Sequence, residues 1–181
     1  MATDETRLLR SMRAVRRFGT RPIPPATLSD ILEVARWTGS SKNSQPWHLV
    51  VTRDPDVLQR LSRLGRYADH LAGAPLGVAL VMSESGSGLD EGRLAQNVML
   101  AAWAHGIGSC IASLQDQSTA RNLLGVPPGL SLHTVIALGY PFDRSALRIA
   151  PDRRSAVKPG RRPLEEVVSW ERYGGRRPEA V

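Results

Sequence analysis

Pro75 to Met82 is a near-continuous apolar run, and it constrains the fold more than any other stretch of the chain. Its length suits a strand and is far too short to cross a bilayer as a helix. An apolar run without alternation reads as a strand covered on both faces, so helices are expected above and below a sheet. Helical patterns do flank it: Asp4 to Met12, Pro25 to Trp37, Pro55 to Leu64, Glu91 to His105 and Ser118 to Leu124 repeat apolar residues at helical spacing. Further strands are expected at Leu49–Thr52 and Leu132–Tyr140, and a short helix at Tyr67–Gly73. Strands interleaved with helices in 181 residues imply one α+β domain, a mixed sheet flanked by helices.

Two stretches carry chemistry. Thr38 to His48 is a polar loop in which Ser40, Ser41, Asn43, Ser44 and Gln45 offer short hydrogen-bonding groups and accessible backbone N–H. That set suits a flat heteroaromatic ring, and it equally suits an ordinary turn. Pro46 is expected to hold Gln45 extended. Earlier, Arg13, Arg16 and Arg17 bring three guanidinium groups into five residues, which is unfavourable unless an anion or carboxylate offsets them. An anion site is the expectation there.

The net charge of +7 raises nucleic-acid binding as a rival. The arginines are scattered, and no zinc-finger, basic-zipper or RNA-recognition pattern accompanies them, so a solvated surface is expected. Cys110, the single cysteine, can form no internal disulfide and reads as a buried, inert thiol. His70 reads as a surface histidine and Trp103 as core. Gly106 suits the left-handed cap that ends the helix before it. No Ser/His/Asp constellation, metal-ligand spacing or P-loop is present, and the N-terminus lacks a secretory pattern, which points to a cytoplasmic protein.

Ser40-Ser41-Lys42-Asn43-Ser44-Gln45-Pro46-Trp47 resembles the Ser-x-x-Asn-x-Gln-Pro-Trp loop of the FMN-dependent nitroreductase family. Arg13-Ala14-Val15-Arg16-Arg17-Phe18, Gly106-Ile107-Gly108-Ser109-Cys110 and Arg161-Arg162-Pro163-Leu164 match that family in order and spacing. The resemblance implies a nitroreductase-like three-layer sandwich over residues 1–181, with residues from about 142 forming an arm that packs on the partner of a homodimer. It implies FMN at the subunit interface and NADH or NADPH as reductant. Hydride would pass through flavin N5 to an electron-poor acceptor such as a nitroaromatic or quinone.

The resemblance also implies site residues. Arg13, Ala14 and Arg16 would hold the phosphate, ribityl chain and pyrimidine edge of FMN, although Met12 stands where the family has its first arginine. Ser40, Ser41, Asn43 and Gln45 would hold the ring from the loop. The backbone of Ile111-Ala112-Ser113 would pass flavin N5, and Arg161 would reach the phosphate, with Lys158 and Arg162 as substitutes. Tyr67 and His70 would lie at the pocket mouth. No side chain is required as a catalytic acid or base, because the cofactor carries the chemistry. Two other readings share the cofactor site: a protein that sequesters FMN without turnover, and a related dehalogenating or flavin-fragmenting enzyme.

Overall fold

The computed structural model describes residues 3–143 and 161–175. Its elements are α1 (Asp4–Ser11), α2 (Pro25–Arg36), β1 (Trp47–Thr52), α3 (Pro55–Leu61), β2 (Leu76–Met82), α4 (Gly88–Ala104), β3 (Gly108–Ser113), α5 (Gln117–Leu124) and β4 (Ser131–Gly139). The strands form one sheet in the order β1-β2-β4-β3, every neighbouring pair antiparallel. The sheet is thus antiparallel rather than the mixed one expected, and the one parallel bridge, Ala14 to Ser109, lies outside its four strands.

β2 is buried along its whole length, as its apolar run predicts. Successive side chains of a strand point to opposite faces, and the two faces have different covers. Leu76, Val78 and Leu80, with Ile136 and Leu138 of β4, pack against Ile31 of α2 and Leu94 and Val98 of α4. The intervening Ala79 and Val81, with Val135 and Ala137, pack against Leu58 and Leu61 of α3 and Ala120 of α5. Each fully buried Leu, Ile or Val contributes roughly 1.5–3 kcal/mol over its exposed state. Helix, sheet and helix therefore form the three layers.

α4 begins three residues before the expected Glu91. Ser87 caps it, accepting from the Asp90 amide at 3.2 Å, while the Asp90 carboxylate accepts from the Ser87 amide at 3.0 Å. Hydrogen bonds from the Ser87 hydroxyl and amide hold that carboxyl below the usual range. Gly106, at φ 70°, follows the helix as expected. The next residues then depart from expectation. No strand is expected at Gly108–Ser113, yet it forms β3 at the sheet edge.

Contacts divide the chain into two units, Met1–Arg148 and Ile149–Val181. In the second, Glu165–Tyr173 forms no α-helix. One 3-10 turn, Leu164–Glu166, leads into a hook closed by Trp170 N–H to the Gly175 carbonyl at 3.0 Å and Gly174 N–H to Ser169 Oγ at 3.0 Å. Leu164, Val167, Val168, Trp170 and Tyr173 are exposed on it. Among the described residues no helix is long and apolar enough to cross a membrane.

Candidate functional site

The arginine-bearing segment is a ribbon fixed at both ends. At its start, Ser11 is buried and its Oγ accepts the Trp103 indole N–H at 2.9 Å, tying the end of α1 to α4. The chain then runs beside β3, where Val15 N–H donates to the Ser109 carbonyl at 2.8 Å. Val15 approaches so closely that a Cβ on Gly108 would meet Val15 Cβ and Cγ2 at 2.6 Å. Further on, Phe18 bridges Pro141, and Phe142 N–H donates to the Arg17 carbonyl at 3.0 Å. Arg17 lies over the Phe142 ring at 4.8 Å and Arg21 over Tyr140 at 4.2 Å, each a cation–π contact.

Between these anchors a cleft of about 260 Å³ opens. Arg13, Ala14 and Arg16 wall one side, Ser109 and Ile111 another, and Met99 of α4 completes it. The Arg13 guanidinium folds back onto the carbonyls of Arg10 at 2.7 Å and Met12 at 2.8 Å, covering the end of α1. β3 adds backbone. Because the Ser109 carbonyl faces Val15 rather than β4, alternation turns the N–H of Ile111 to the same free edge. Ala112, by contrast, is buried in the core under α3 and α5, and Ser113 is exposed.

Ser40 to Gln45 forms a separate, strained feature. Lys42, Asn43 and Gln45 have φ of 52°, 54° and 46°, three non-glycine residues in the left-handed region within four positions. Such strain gathers at functional loops. The extended conformation expected of Gln45 is not adopted. Its N–H is drawn onto Ser40 Oγ at 2.9 Å, and its carbonyl accepts from Trp47 N–H at 2.9 Å across a tight turn at Pro46. The loop is held from α4, where Asn97 Nδ2 donates to Thr38 Oγ1 at 2.8 Å. Ser40 is half-buried, while Ser41, Asn43 and Gln45 are exposed.

These two halves do not meet within one chain. The loop enters β1 at Trp47, which pairs with Met82 and, across β2, lies level with Ser131. The cleft sits on β3 at Ser109, level with Leu138 and Leu76. They occupy opposite edges and opposite ends of the sheet. Three strand spacings by five or six residues of rise put Trp47 and Ser109 roughly 20–25 Å apart. Arg161 and Arg162 are exposed residues of the C-terminal unit, and Lys158 lies outside the described residues.

The surface reading of His70 is overturned. It is buried beneath β3, its Nε2 without a hydrogen-bond partner, because the turn Asp69–Leu71 tucks it into the core cluster that holds Leu71. Desolvation holds its pKa below the ordinary range; backbone groups of Cys110 and Tyr67 pull upward, and Arg16 opposes protonation. An unfolded histidine titrates near 6.5. Below that pH the unfolded chain takes up the proton first, so stability falls as pH drops from about 6.5 towards the lowered folded value. His70→Gln is expected to remove part of that acid sensitivity, read as the difference in urea midpoint between pH 5 and pH 7.5. An unchanged difference would show that the ring titrates normally. Tyr67 is exposed, and the Cys110 thiol is buried and pushed up by desolvation, as an inert thiol should be.

Ser109 and Met99 are site residues that sequence reasoning missed. Ser109 stands in the quoted Gly-x-Gly-Ser-Cys stretch, but without β3 nothing marks which way it faces. Met99 lies one residue after Val98 on a helix read only for its core positions.

The sequence profile of the nitroreductase family matches residues 9–76 and 65–140. A protein of Archaeoglobus fulgidus, provisionally named NADH dehydrogenase/NAD(P)H nitroreductase, is 28% identical over 158 residues, covering 81% of this chain and 91% of its own. The NADH dehydrogenase of Thermus thermophilus is 28% identical over 198 aligned positions, covering 87% and 91%. In structure, the FMN-dependent nitroreductase of Clostridium difficile superposes with a TM-score of 0.71 at 24% identity, over 75% of this chain and 87% of its own. With the ribbon, the loop and the three-layer sheet in the expected order, the chain belongs to the nitroreductase family.

Proposed function

We propose that two copies of this chain form a cytoplasmic homodimer that binds FMN at each of two subunit boundaries. In this reading the enzyme is an NAD(P)H oxidoreductase reducing an electron-poor acceptor, such as a nitroaromatic or quinone. The observation that carries the reading is the strand register, which sets Trp47, where the loop ends, roughly 20–25 Å from Ser109 at the arginine cleft. One flavin cannot touch both halves in one chain, whereas a second copy can bring its loop to the first copy's cleft. Met99, half-buried on α4, also lines the cleft.

The residues present fit FMN. The cleft is lined by the apolar Ala14, Met99 and Ile111 and by Arg13 and Arg16, and the Ile111 amide faces the free edge beside it. Bound there, FMN would supply two-electron transfer between a reduced nicotinamide and the acceptor. Arg16 would set positive charge beside the ring, favouring its acceptance of a hydride. Arg13 would reach the ribityl-phosphate side, and the Ile111 N–H would donate to the ring edge. Ser40, Ser41, Asn43 and Gln45 would close the ring from the partner subunit. The C-terminal arm would pack its exposed Leu164, Val168 and Trp170 on the partner, bringing Arg161 to the phosphate. Names of relatives add weight: FMN-dependent for the Clostridium difficile protein, and NADH or NAD(P)H for the two sequence relatives.

Complementation tests the shared site. Arg16→Ala and Asn43→Ala are each expected to lose most bound flavin. Co-expressed, they should form a mixed dimer in which one boundary keeps both Arg16 and Asn43. That preparation should regain about half of the wild-type flavin and NAD(P)H oxidation per mixed dimer. No recovery, with mixed dimers verified by tagged pull-down, would put both halves in one chain and sink the two-copy site. Flavin without NAD(P)H oxidation by any acceptor would leave a sequestering protein instead.

A further inference from the structure

Ser109 has a buried hydroxyl that the fold leaves idle. The residue is 1% exposed, forms part of the cleft wall beside Arg16, and its Oγ has no hydrogen-bond partner. A buried polar atom left unpaired is costly, and native proteins retain few of them without a use. β3 explains the placement. Ser109 and Ile111 share one face of the strand, whereas Ala112 turns into the opposite core. The carbonyl of Ser109 is already engaged, taking the Val15 N–H at 2.8 Å. The hydroxyl is left without a partner in the protein.

The chemistry of the cleft says what that ligand must offer. Arg13 and Arg16 are donors only, and the wall is otherwise apolar apart from the Cys110 thiol. Ser109 Oγ is the one side-chain oxygen among the residues lining the cleft, hence its one good side-chain acceptor. We propose that Ser109 is a flavin-contacting residue whose Oγ accepts a hydrogen bond from a donor of the cofactor, either the ring imide N–H or a ribityl hydroxyl. This rests on the reading that the cleft binds FMN. Arginines recognise the acceptor edge and the phosphate, and Ser109 recognises a donor, so together they distinguish flavin from a simple aromatic anion.

The test is Ser109→Ala, with flavin affinity and apoprotein stability measured on the same preparations. Losing a contact for which burial is already paid should weaken FMN binding about three- to tenfold. Meanwhile the melting temperature of the apoprotein should stay the same or rise, since an unpaired hydroxyl has been removed. A merely structural serine would do the reverse, lowering the melting temperature and leaving affinity alone. Lumiflavin, which keeps the ring and lacks the ribityl chain, separates the two donors: a weakening for lumiflavin as large as for FMN identifies the imide, and one for FMN alone identifies a ribityl hydroxyl. Unchanged affinity for both, in a variant whose parent binds FMN, would overturn the role of Ser109 alone. A parent that binds no flavin would overturn the underlying reading.

Discussion

Arg16→Ala is expected to give a folded protein that loses its flavin. The side chain is exposed on the ribbon, and the bonds fixing the ribbon belong to the backbones of Val15, Arg17 and Gly19. Removing the guanidinium should therefore cost little stability. Binding should suffer far more. A hydrogen bond to a charged group is worth roughly 1.5–3 kcal/mol, so FMN affinity should fall about ten- to a hundredfold. Flavin that remains bound should be reduced more slowly, because positive charge beside the ring assists hydride acceptance. Arg16→Lys should recover part of the loss, since it restores charge without the planar fork. Titration calorimetry with FMN and stopped-flow reduction by NADH or NADPH check both effects. Wild-type affinity and reduction rate in the alanine variant would remove Arg16 from the site.

The layers were legible because each depends on local periodicity. The unbroken β2 run predicted a strand buried on both faces, and α2, α4 and α5 showed their apolar stripes directly. β3 was not legible. It is short, begins at Gly108 directly after the helix cap, and runs through small residues whose alternation is weak. Pairing with β4 across an intervening helix, not propensity, makes it a strand. Losing β3 meant losing the direction of Ser109 and the free N–H of Ile111. The loop residues were identifiable by type, but the bend at Gln45 depends on Ser40 Oγ reaching five residues along the chain. The separation of the two half-sites was out of reach as well. Strand order and register are long-range facts, and a motif string does not say which corner of a sheet it will occupy.

Gly108→Ala is expected to damage stability and cofactor binding together, through one contact. The added methyl would stand 2.6 Å from two carbons of Val15, and Val15 is buried and held by its amide on Ser109. Neither side can yield without lifting the ribbon from β3. Overpacking of this kind costs about 1–3 kcal/mol, which for a chain of this size lowers the melting temperature by roughly 2–12 °C. Because the ribbon carries Arg13 and Arg16 to the cleft, its displacement should also weaken FMN binding by more than the stability loss alone explains. Val15→Gly supplies the control, because it removes both the Cβ and the Cγ2 that the new methyl would meet. Alone it leaves a small cavity and destabilises; combined with Gly108→Ala it frees the space the new methyl requires. The double variant should therefore be more stable than the sum of the two single effects, with a coupling of about 1 kcal/mol or more, and should regain flavin. Strict additivity in denaturant midpoints would mean that Val15 does not rest on Gly108, and the ribbon would need another anchor.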